Sequence, residues 1–207
     1  MSEIGKNMTK PMQYRIYKRI RSIPIVGSIF RIANAYAFKG EPQCNKVIAP
    51  WKCWWDRILK KFIVVLAFTM VMFFLEGSSL TEAPWNPADT VLSIFPSILG
   101  FGIGVYALMF IMPSDFMHHL KRRHELGKSQ ISHRIIPVDM GYPLSVFIVV
   151  LCVASICKLF NQNGITYFTS LLSLFYGLSM SIELMSFLFN SSVMIQSIRS
   201  VDEGNKK

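Results

Sequence analysis

The sequence predicts an all-α integral membrane protein with four transmembrane helices, both termini in the cytoplasm, and a basic amphipathic region ahead of the first span. Three observations predict it. Hydrophobic residues make up 52% of the 207-residue chain and charged ones only 16%. They are pooled in runs at about 60–80, 91–112, 142–160 and 165–187, not spread at a helical or strand period as in a soluble core, and each run approaches the about 20 helical residues that cross a hydrocarbon layer about 30 Å thick. Finally, thirteen of the 22 Lys and Arg precede Phe62 and five more lie from Lys121 to Arg134. The segments flanking the runs therefore alternate in charge, and the positive-inside bias places residues 1–57, the loop 113–141 and the tail 199–207 in the cytoplasm.

The elements follow in order. Met12, Ile16, Ile20 and Ile23 recur at helical spacing with Arg15, Lys18, Arg19 and Arg21 between them, the pattern of a basic amphipathic helix lying in the membrane interface. Pro24 punctuates it, because proline lacks an amide proton and clashes with the preceding turn. A second stretch, with Ile25, Ile29, Ala33 and Tyr36 or Ala37 on one face, completes one or two juxtamembrane helices over 12–38. A small soluble helical hairpin is the competing reading. Gly40, Pro42 and Pro50 mark a loop. Trp51, Trp54 and Trp55 then stand beside basic residues, as an interfacial aromatic belt requires. Lys60 and Lys61 are placed to snorkel back to the headgroups. The first span is charge-free only from Phe62 to Leu75, about 21 Å of helix, so residues 77–80 are expected to extend it. Glu76, Glu82 and Asp89, with no Lys or Arg among them, populate an outer loop in which Trp85 is a further interfacial anchor.

The second span contains Pro96 and the series Gly100, Gly102 and Gly104. Gly100 and Gly104 form a small-xxx-small pair that lets helix backbones approach closely, and Gly102, on another face, suggests a kink or a water-lined position. In the inner loop, residues 116–127 read as a short helix stopped by Gly127. The third span is expected to begin after Gly141 with Pro143 in its first turn, where proline is tolerated, and Lys158 snorkels from its outer end. A tight turn at 161–164 makes spans three and four an antiparallel hairpin. From Gly164 to Ile198 the one acidic or basic residue is Glu183, and Ser170, Ser173, Gly177 and Ser181 draw a stripe of small side chains that either packs on another helix or lines a wet path. The fourth helix is expected to emerge from the membrane at 187–190.

Glu183 is the residue with the strongest functional argument, since an ionisable group within a span is costly. About 20 residues from the outer turn, it falls in the last cytoplasmic turn. Two readings stand: a structural ion pair with Lys60, Lys61 or Arg57, or a gating or proton-linked group acting with the Ser170/Ser173/Gly177/Ser181 stripe. The histidines His118, His119, His124 and His133 all fall in the inner loop, but His124-Glu-Leu-Gly-Lys128 lacks the second histidine of the zinc-protease helix. A solvated basic loop that responds to lipid charge or pH fits them better. No metal site, cofactor or catalytic residue is expected: no nucleophile–base pair, phosphate-cradling loop or carboxylate pair occurs in a suitable context. Cys44, Cys53, Cys152 and Cys157 show no ligand spacing and read as reduced thiols or small apolar residues. The net charge of +10 is absorbed by topology and by anionic lipid on the cytoplasmic leaflet, so specific nucleic-acid binding is not expected. The N-terminus shows no short apolar core with a small-residue cleavage site, and insertion is expected to depend on the first span.

In size, in the inside termini and in the segment Phe95-Pro-Ser-Ile-Leu-Gly-Phe-Gly-Ile-Gly-Val-Tyr106, the chain resembles small four-span inner-membrane proteins of bacterial anti-phage systems, of the Kiwa membrane subunit or retron membrane effector type. The resemblance assigns no residue a role. It implies an oligomer in the bacterial inner membrane that senses membrane disturbance or damages the membrane, with a soluble partner docking on the basic cytoplasmic face. The expected function is accordingly a non-enzymatic, homo-oligomeric sensor or effector component. A small channel or transporter, with a path along the span-four stripe and Glu183, is the alternative, and a lipid-modifying enzyme using the histidine loop is a third class.

Overall fold

The computed structural model describes residues 14–76, 85–111, 135–160 and 163–204. The histidine loop, its expected helix at 116–127, and residues 77–80 lie outside these. Among the described residues there is no β-strand. Helix α1 covers 14–21 and α2 runs Val26–Ala37. A 3₁₀ turn at Pro42–Asn45 leads to α3, Trp51–Trp54, which passes through a π-helical turn at Trp55–Leu59 into α4, Lys60–Glu76. Then follow α5, Pro87–Ile111, α6, Ile135–Leu159, and α7, Gly164–Gly204. Four stretches are long and apolar enough to cross a membrane: Trp51–Leu75, Pro87–Leu108, Ile135–Leu159 and Gly164–Val193. They mark the chain as an integral membrane protein.

The spans differ from the expected bounds in ways that make physical sense. The helix of the first span already begins at Trp51: from Trp51 to Leu75 the rod is 25 residues, about 37 Å, so the tryptophans expected just ahead of the span belong to its helix. The third starts at Ile135 instead of after Gly141, which moves Pro143 from the first turn to the helix interior. There its missing N–H leaves the Asp139 carbonyl without its helical donor. Asp89 lies in the first turn of α5, not in a loop. The fourth helix, expected to outrun the membrane, continues to Gly204, about 60 Å in all, and takes residues 199–204 of the expected tail with it.

Helix α6 is the centre of the bundle. Half of its apolar window is buried within the chain, against 11% for the first span, and Tyr142 through Phe147 are buried in an unbroken run. It packs against α2, α5 and α7, while α4 packs on α7. Phe95 of α5 inserts its ring against Gly177 of α7 and lies 5.6 Å from the Phe147 ring. The small residue at 177 is therefore the notch that admits an aromatic from the neighbouring helix. Gly102 plays the same part for Leu144 and Leu184. Within the chain it is Gly102 in span two that makes the close approach, whereas a Cβ at Gly100 or Gly104 would meet nothing within 4 Å. Inside the chain, the small-xxx-small pair faces outward because the 100° step of the helix turns it away from α6.

A polar tie between helices and a local one lie at the end of the bundle remote from α2. Lys158 Nζ donates to Asp89 Oδ1 at 2.5 Å, so Lys158 does not simply snorkel: it joins the end of α6 to the start of α5. The Trp85 indole, 44% exposed, donates to Thr90 Oγ1 at 2.8 Å.

Candidate functional site

At the other end, α2 is held against the spans by buried polar side chains. Asn34, fully buried, donates from Nδ2 to the carbonyls of Cys44 at 2.8 Å and Val47 at 3.0 Å, and its Oδ1 accepts from Ala49 N at 2.8 Å. One amide side chain thus satisfies three backbone groups of the loop that follows α2. Tyr36, two residues on and 1% exposed, reaches into the bundle. Its ring stacks on Tyr142 at 4.1 Å with an interplanar angle of 11°, and the Arg57 guanidinium lies 4.2 Å from the ring centre.

The Tyr36 hydroxyl joins two ionic groups. It accepts from Lys61 Nζ at 3.0 Å and donates to Glu183 Oε1 at 3.1 Å, while Lys61 also pairs with Glu183 Oε2. On the other side Arg57 Nη1 donates to the Tyr36 carbonyl at 2.7 Å, which also accepts from Lys39 N at 3.1 Å where the helix closes. Arg57 Nη2 reaches both Asp139 carboxylate oxygens, at 3.0 and 3.2 Å. The Tyr142 and Tyr176 hydroxyls meet at 3.0 Å. The result is one connected set, Asp139–Arg57–Tyr36–Lys61–Glu183, with two cations against two anions. It draws on α2, on the first span, on α6 and on α7.

One rod supplies both cations because residues four apart share a helix face, and a π turn covers Trp55–Leu59 at that point. A π turn inserts an extra residue and widens the helix locally. Arg57 lies within it and Lys61 follows four residues later, so both project toward Tyr36. Neutrality matters because the side chains are largely withdrawn from water: Arg57 and Asp139 are each 18% exposed, and Lys61 and Glu183 about 30%. Removing one partner of such a pair leaves a charge with neither water nor counterion. Burial pushes the Tyr36 phenol far above its usual pKa, and the Glu183 carboxylate adds to the effect, so the hydroxyl stays a neutral donor.

No family model, curated protein or solved structure matches this chain.

The remaining residues singled out in the sequence fall as follows. Ser170 and Ser173 are buried, Gly177 lies under Phe95, and Ser181 is half-buried with its hydroxyl donating to the Gly177 carbonyl at 3.0 Å. Trp51 and Trp55 are exposed, whereas Trp54 stacks on Phe30 at 6.0 Å, tying the first span to α2. Lys60 is exposed; Lys61 is committed to Glu183 and Tyr36 and does not snorkel. Tyr36, Asp139, Tyr142 and Tyr176 were not legible as site residues. For Asp139 there was a signal: a lone acid at the edge of an apolar run, beside a strongly basic loop. The π turn has no sequence mark. Among the described residues no group of three metal-ligating side chains converges.

Proposed function

We propose that this chain is a non-enzymatic, membrane-embedded sensor or effector component in which a basic arm on the cytoplasmic face is coupled mechanically to the spans. The observation that carries the reading is Tyr36. A residue of the arm is gripped by side chains from the first, third and fourth spans, so a displacement of the arm cannot occur without breaking or moving polar contacts in all three. The arm keeps its outward charge for an external partner: Arg15, Lys18, Arg19, Arg21 and Arg31 are exposed and engage in no ion pair with described residues. The working form is a homo-oligomer in the bacterial inner membrane, drawn to anionic lipid and acting with a soluble cytoplasmic partner. Anti-phage defence is the setting that the sequence resemblance suggests.

The test has two parts. Hydrogen exchange of full-length protein in nanodiscs should show α2 amides exchanging faster in Glu183→Gln and Lys61→Met than in the parent; unchanged exchange in both variants would remove the coupling. Strictly monomeric protein that recovers no soluble partner would remove the assembly. The channel reading makes a different claim, that Glu183→Gln alters ion flux in liposomes while the arm stays docked. The insertion of Phe95 at Gly177 and the commitment of Glu183 to Lys61 weigh against it.

A further inference from the structure

The arm holds a second polar cluster, separate from the Tyr36 grip. A groove of about 320 Å³ is lined by Tyr14, Tyr17, Lys18, Arg21, Ser22 and Asn45. Two of its walls are cationic and none is acidic. Tyr17 is 2% exposed, and its hydroxyl is the one buried side-chain polar atom among the described residues without a hydrogen-bond partner. A buried donor left unpaired is costly and calls for a specific reason. The surrounding turn is rigidly made. Ile25 has φ 65°, a conformation that β-branched residues rarely adopt, and a Cβ on Gly27 would lie 2.5 Å from the Arg21 carbonyl oxygen, so this corner closes only with glycine there. Asn45 is presented by the turn that Asn34 anchors.

We propose that this groove binds the phosphate of an anionic phospholipid headgroup, with Arg21 and Lys18 neutralising its charge and the Tyr17 hydroxyl donating to a phosphate oxygen. Lipid is favoured over a soluble anion because apolar side chains on the same arm are left open beside the groove: Tyr14, Ile16, Ile23, Ile25 and Val26 are 40–77% exposed, as they would be if seated among acyl chains. The proposal deepens the attraction to anionic lipid assumed above by giving it a stereospecific site.

The experiment titrates full-length protein in neutral detergent with short-chain phosphatidylglycerol, short-chain phosphatidylcholine and glycerol 3-phosphate, following bound ligand by native mass spectrometry. The parent should bind phosphatidylglycerol saturably and at least ten-fold tighter than either other probe. Tyr17→Phe, which keeps the ring that packs 6.1 Å from Phe30, should weaken binding about ten-fold, the worth of a hydrogen bond to a charged group. Arg21→Gln should weaken it at least as much, and Arg15→Gln, an equal loss of charge outside the groove, less than two-fold. Equal effects of the two arginine changes with none from Tyr17→Phe would overturn the site and leave diffuse attraction standing. Phosphatidylglycerol binding no better than phosphatidylcholine would overturn both. Glycerol 3-phosphate binding as tightly as the lipid would overturn the lipid as ligand.

Discussion

Tyr36 shows how much one hydroxyl can coordinate. It lets Lys61 and Glu183 share a donor–acceptor without either facing an unpaired lone pair or proton, and its ring gives Arg57 a flat surface to lie on. Tyr36→Phe keeps the stacking on Tyr142 and deletes only the hydroxyl, so thermal unfolding in detergent should register a loss of about 1–2 kcal/mol. The pH dependence has a definite sign. In the unfolded chain the phenol ionises near its usual value of about 10, while in the folded chain it holds its proton to higher pH. Above about pH 10 the unfolded state therefore binds fewer protons than the folded one, and stability falls as pH rises. Its full contribution persists from neutrality up to that point. Parent protein should lose stability more steeply above pH 10 than Tyr36→Phe, by at most about 1.4 kcal/mol per pH unit. Parallel alkaline slopes would show that Tyr36 is not held neutral by its surroundings.

At the scale of helices, the glycines separate packing from mere smallness. Gly177 and Gly100 look alike in sequence, each in an apolar run with another small residue four positions away. Only Gly177 has a ring against it. Gly177→Ala forces Phe95 out of its notch and should cost about 1–3 kcal/mol by overpacking. Gly100→Ala and Gly104→Ala project a methyl into open space and should leave the folded chain within about 0.5 kcal/mol, measured by the same unfolding assay. Spans of this kind are readable because the bilayer selects length and apolarity, and four uninterrupted runs leave no other fold. The choice between Gly100/Gly104 and Gly102 was not readable. It depends on which way the helix is rotated, and an apolar run carries no amphipathic stripe to report that rotation. The start of α6 was hidden for a related reason: Pro143 looks like a first-turn proline, and only the packing of Met140 and Tyr142 shows that the helix is already under way before it.

For the molecule as a whole, the two ends of the bundle are tied differently, and this difference separates a general staple from the coupling proposed for the arm. At the end away from α2, Lys158 and Asp89 are each more than half exposed; water screens such a pair, and it is worth at most about 1 kcal/mol. At the arm end the charges are mostly withdrawn from water and share Tyr36. Glu183 stood out in the sequence and Asp139 did not, and the partners of both come from 122 and 82 positions away, a distance that no local pattern spans. Lys61→Met alone and Glu183→Gln alone should each destabilise by about 1–3 kcal/mol, because each leaves its partner unpaired. The exchange Lys61→Glu with Glu183→Lys restores opposite charges around the same hydroxyl and should recover at least half of the larger single loss, both in unfolding and in α2 hydrogen exchange. Asp89→Asn with Lys158→Gln should lower the unfolding temperature slightly and leave α2 exchange untouched. If neutralising the remote pair loosens the arm as much as breaking the Tyr36 contacts does, then the bundle responds as one block and the grip on the arm has no special status.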